Sequence, residues 1–137
     1  MKTGFEDTFM DIQAGLIALC MEVTDGQVEK VYAYASIQKD SQMFNAFFEK
    51  SGNLVTLKQM GITPDLAMQF LEVGTEDLDK IRELCIENEM PVPTEMKMYY
   101  DVKSNQYHAD YRYENNGEDV GEGFQKWIEE FRAKRGE

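Results

Sequence analysis

Residues 90–114, MPVPTEMKMYYDVKSNQYHADYRYE, decide the fold. From Glu95 the apolar Met96, Met98, Tyr100 and Val102 alternate with Glu95, Lys97, Tyr99 and Asp101. Beyond Lys103-Ser104-Asn105, Tyr107, Ala109, Tyr111 and Tyr113 alternate with Gln106, His108, Asp110 and Arg112. A period of two on both arms gives each an apolar and a polar face, which predicts two half-buried strands. The polar triplet between them reverses the chain, so the pair reads as a hairpin. Pro91 and Pro93 stop whatever helix precedes it.

Working outward, residues 5–23 predict a helix with Phe5, Ile12, Leu16, Leu19, Cys20 and Val23 on one face. Asp25-Gly26 ends it. Residues 28–37 predict a strand with Val31, Ala33, Ala35 and Ile37 on one face and Tyr32, Tyr34 and Ser36 on the other. Both faces are apolar enough for a central strand covered on both sides. Residues 43–49 and 54–57 complete a meander across turns at residues 39–41 and 50–53. Thr63-Pro64 has the form of an N-cap followed by proline at the first helical position. Leu66, Phe70 and Leu71 fit the inner face of a short helix. Gly74-Thr75 then reads as a break, and residues 76–88 as a second helix. The last helix starts between Asp119 and Gly123, with Phe124, Trp127, Ile128 and Phe131 as its apolar stripe. These pieces predict a single α+β domain over residues 1–137, with an antiparallel sheet of about five strands, a three-strand meander plus a hairpin. Helices pack on that sheet in the order α-β-β-β-α(α)-β-β-α.

Four stretches carry a family resemblance: PTEMKMYYDV at residues 93–102, ADYRYE at 109–114, VEKVYAYA at 28–35 and FQKWIEE at 124–130. In their order along the chain they resemble the YezG-like immunity proteins of bacterial toxin systems. The resemblance implies a protein that binds and neutralises a toxin domain, often a nuclease. The motifs are structural, so they imply the fold more directly than the partner.

The chain has 137 residues, 26 acidic and 14 basic, and a formal charge of −12. Such a surface repels nucleic acid and anionic membranes, so direct binding of either is not expected. Its natural complement is a basic protein; the plainer reading is that the charge keeps the protein in solution. The residues up to Asp11 lack a signal peptide's charged-then-apolar layout, and no apolar run is long enough to span a bilayer. The expected location is the cytoplasm, with Cys20 and Cys85 as free thiols on buried helix faces.

The motifs of common catalytic sites are missing. His108, the only histidine, falls on a polar strand face. One histidine and two distant cysteines do not make a zinc site, and Gly121-Glu122-Gly123 lacks the spacing and lysine of a phosphate loop. Asp101 and Asp110 share the hairpin's polar face; with His108 they form the one constellation that a hydrolase reading could use, the plainer reading being a solvated face. No enzymatic activity, metal or cofactor is expected. Two stretches concentrate acid, residues 72–89 and 114–130. The second follows the tyrosine-rich hairpin, and aromatic rings beside carboxylates suit a basic partner surface. The candidate toxin-binding residues are therefore Tyr99, Asp101, Asp110, Glu114, Glu118, Asp119 and Glu122. Tyr99 and Tyr32 are the expected exposed rings unless helices on the second sheet face cover them, and Tyr100, Tyr111 and Tyr113 the expected core. The competing reading is a non-catalytic homo-oligomeric scaffold or regulatory module, joined as a homodimer through an apolar patch at Met43 and Phe47.

Overall fold

The computed structural model describes residues 4–39, 41–114 and 122–135. Its elements are α1 (Gly4–Val23), β1 (Lys30–Ile37), β2 (Gln42–Lys50), β3 (Asn53–Thr56), α2 (Pro64–Glu87), β4 (Glu95–Asp101), β5 (Gln106–Arg112) and α3 (Glu122–Lys134). All strand pairs are antiparallel and the order across the sheet is β3-β2-β1-β4-β5. The meander and the hairpin join through β1, whose Ala33 faces Ala46 on one side and Met98 on the other. As expected of a central strand, Val31 to Ile37 are all buried.

Helices cover both faces. On one, Leu16, Ile17 and Cys20 of α1 and Phe70, Leu78, Ile81 and Cys85 of α2 pack on Val31, Ala33, Ala35, Phe44, Phe48, Met96 and Met98. On the other, α3 lays Phe124, Trp127 and Ile128 over Tyr32, Tyr34, Phe47 and Leu54. Trp127 sits at the middle of this second core, its ring within 5.1–6.2 Å of those of Phe47, Tyr99, Tyr34 and Tyr32. Both cysteines are buried and free, and burial raises the pKa of each thiol.

Four expectations need correction. Residues 64–87 form one helix and not two. Thr63 does cap it, its side chain accepting from the Leu66 N–H at 3.3 Å, but Gly74 is no break. Gly74 is buried where a Cβ would run into the Phe44 ring, so it is there for close helix–sheet contact. Leu66, in the first turn, points outward and is exposed. Phe47 is buried beneath α3 and Met43 packs half-buried beside it, so they offer no apolar dimer patch. The tyrosines also exchange roles. Tyr32 is buried and Tyr99 half-buried, because the short ring-rich α3 covers their face. Tyr111 and Tyr113 are exposed, because they lie on the edge strand and just past it.

Candidate partner-binding surfaces

The register places Tyr99, Asp101, His108 and Asp110 on the α3 side of the hairpin. Tyr99 faces His108, Asp101 faces Gln106 and Lys97 faces Asp110. The Tyr99–His108 pair thus stands between the two aspartates, and each carboxylate has its own partner. Asp101 accepts from the Ser104 N–H at 3.1 Å and fixes the turn. Asp110 lies 2.9 Å from His108 Nε2, with both side chains more than half exposed. Tyr99 packs edge-on to Trp127, with 5.4 Å between the rings. Burial first, then the Asp110 carboxylate, raises its pKa.

Two grooves flank the Tyr99 ring. One of about 530 Å³ runs between the end of the hairpin and Phe131 of α3, lined by Lys30, Tyr32, Asp101, Tyr107 and His108 among others. The other, about 280 Å³, is walled by Glu95, Lys97, Asp110, Arg112, Glu130 and Lys134. Their charges are mixed. Glu95 lies within 4.0 Å of both Lys97 and Arg112 and accepts from the Tyr34 hydroxyl at 2.6 Å. This tight packing explains Gly123, where any Cβ would strike the Tyr34 hydroxyl.

Of the other candidate residues, Glu122 opens α3 and is exposed, and Glu114 lies just beyond β5. Glu118 and Asp119 lie outside the described residues. The structure therefore brings Tyr99, Asp101 and Asp110 together, but on a surface whose acid is largely balanced by base.

The unbalanced charge is elsewhere. α1 contains Glu6, Asp7, Asp11 and Glu22 and no basic residue; α2 contains seven carboxylates against Lys80 and Arg82. Those two helices carry nine of the chain's twelve net negative charges. They lie on the same sheet face, and on their outer side Glu72, Glu76, Glu83 and Glu87 follow one another at helical spacing. Met68, Val73 and Ile86 are exposed on α2 beside them. Lys80 is engaged by Asp77 at 3.3 Å, and Arg82 donates to the Gln38 carbonyl. The surface can therefore attract a basic partner over a distance and offer it apolar contact on arrival. The acid of residues 72–89 is visible along the chain, but that α1 lies beside it is a tertiary fact. The signal was present in α1's lack of any lysine or arginine.

Among the described residues no group of acidic, histidine or cysteine side chains is arranged to hold a metal ion, and no helix is long and apolar enough to cross a membrane. No family model and no curated protein matches this sequence.

Proposed function

We propose that this protein is an immunity protein. It binds a cognate bacterial toxin domain with a basic surface, a nuclease domain in the simplest case, and neutralises it by one-to-one association in the cytoplasm. It acts by occupancy and not by catalysis. The observation that carries this reading is the segregation of net charge onto the α1–α2 layer. A nuclease groove must be basic to hold a polyanion, and an acidic helical face with exposed Met68, Val73 and Ile86 complements such a groove. The resemblance to YezG-like proteins supports the same reading. The Tyr99–Asp101–Asp110 surface, with Glu122 at the start of α3, provides a smaller contact zone of mixed charge on the opposite face of the sheet.

The test is capture from a lysate of the native host with the tagged protein, followed by a nuclease assay on what is captured. The expected result is one basic domain at equal stoichiometry, whose activity falls to background at one equivalent. Recovery of the bait alone, or of a domain whose activity the protein leaves untouched, would count against the proposal.

A further inference from the structure

β5 is an edge strand of seven residues containing no proline and no lysine, and its two charged side chains, Asp110 and Arg112, are of opposite sign. Among the described residues no strand pairs with its outer side. The direction of its free groups follows from the ladder. Ile37 N–H donates to the Thr94 carbonyl at 3.0 Å and Val102 N–H to the Glu29 carbonyl at 3.0 Å. Even-numbered residues of β4 therefore bond β1, and odd-numbered ones bond β5. Their β5 partners are Gln106, His108, Asp110 and Arg112. The N–H and C=O groups of Tyr107, Ala109 and Tyr111 are left pointing outward from the sheet.

The strand, Gln-Tyr-His-Ala-Asp-Tyr-Arg, is chemically self-complementary about its centre. Placed antiparallel to a second copy with Ala109 opposite Ala109, it sets His108 against the second copy's Asp110, Tyr107 against its Tyr111 and Gln106 against its Arg112. Side chains keep their faces in this arrangement. The tyrosines meet on the α1 side, the histidine–aspartate and glutamine–arginine pairs on the α3 side. Every outward backbone group of Tyr107, Ala109 and Tyr111 finds a partner. The strand itself is nearly balanced in charge, with one aspartate, one arginine and the histidine, while α1, whose Gln13 accepts from the Tyr107 and Tyr111 hydroxyls, lies over its other face.

We infer that two copies of this protein pair through β5, extending the two five-stranded sheets into one continuous sheet across a two-fold axis at Ala109. This goes beyond the proposed function and does not depend on it, since the outer face of each α1–α2 layer is left for another partner.

Sedimentation velocity across the micromolar to millimolar range tests the pairing, with hydrogen exchange as a second readout. Self-association to twice the 15.9 kDa chain mass is expected, with the amides of Tyr107, Ala109 and Tyr111 becoming protected as the dimer fills. Ala109→Pro removes an outward N–H that the monomer does not use, so it should give a monomer with unchanged circular dichroism. His108→Glu sets like charges opposite each other twice and should weaken the dimer about tenfold; adding Asp110→Lys in the same chain should restore it. That charge pair of variants decides the matter if the proline variant fails to fold. A wild-type chain that stays monomeric throughout overturns the inference. So does a dimer indifferent to His108→Glu and to a folded Ala109→Pro variant.

Discussion

Gly74 shows how much one hydrogen can matter. Alanine is the better helix former by about 0.8–1.0 kcal/mol in an exposed helix interior. Here the added methyl would enter the Phe44 ring, itself packed against Phe70 with 5.3 Å between centroids. Overpacking wins that comparison, so Gly74→Ala should destabilise by about 1–3 kcal/mol; urea unfolding of the pair of proteins checks this. Trp127→Ala removes the centre of the second core and should cost about 3–5 kcal/mol, with loss of near-ultraviolet dichroism from the rings around it.

The buried phenols give a pH prediction at the same scale. Burial, then the Glu49 carboxylate, pushes Tyr32 from an ordinary value of 10.0 up to about 12. Burial also raises Tyr107, whose hydroxyl donates to Gln13 Oε1 at 2.5 Å. With the folded pKa above the unfolded one, the unfolded chain gives up its proton first. The stability of these neutral phenols is therefore whole below about pH 10 and is lost as pH rises towards 12. Thermal melts should fall over that window. Melts that stay level from pH 10 to 12 would contradict the assignment.

At the scale of elements, the sequence was most legible where a period ran uninterrupted. The hairpin's alternation, the double-sided β1, the Thr63-Pro64 cap and the Phe124–Phe131 stripe all have local causes, and the structure has all of them. What failed depended on packing between elements. A glycine inside a helical pattern looks like a break until the facing Phe44 is known. Phe47 and Tyr32 look exposed until α3 is placed on their face. The candidate site was legible only in composition. The acid of α2 was visible along the chain, but its union with α1 is a tertiary fact. Beside the hairpin, Tyr99 and Asp110 sit among Lys97, Arg112 and Lys134. Reversing charge on the two surfaces separates them. Glu72→Lys, Glu76→Lys and Glu83→Lys alter exposed side chains, so the triple variant should fold normally and lose partner affinity. Asp101→Asn with Asp110→Asn should change affinity far less; equal losses on both faces would assign the hairpin an equal share.

For the whole molecule, the arrangement is a sheet with most of its net charge on one helical layer, a mixed-charge hairpin surface on the other side and, among the described residues, an edge strand β5 left unpaired. Under the proposed function, that polarity would set the direction from which a basic partner approaches, which neither the fold class nor the total charge supplies alone. The most direct test is the association rate of the proposed toxin domain, once captured, with the wild-type protein and with the Glu72→Lys, Glu76→Lys, Glu83→Lys variant, measured against salt concentration. Steered capture through α1 and α2 predicts a wild-type on-rate that falls steeply with salt. The variant's on-rate should be lower by about tenfold or more at low salt, with a smaller change in the off-rate. An on-rate indifferent both to salt and to the three reversals would contradict capture by the acidic layer.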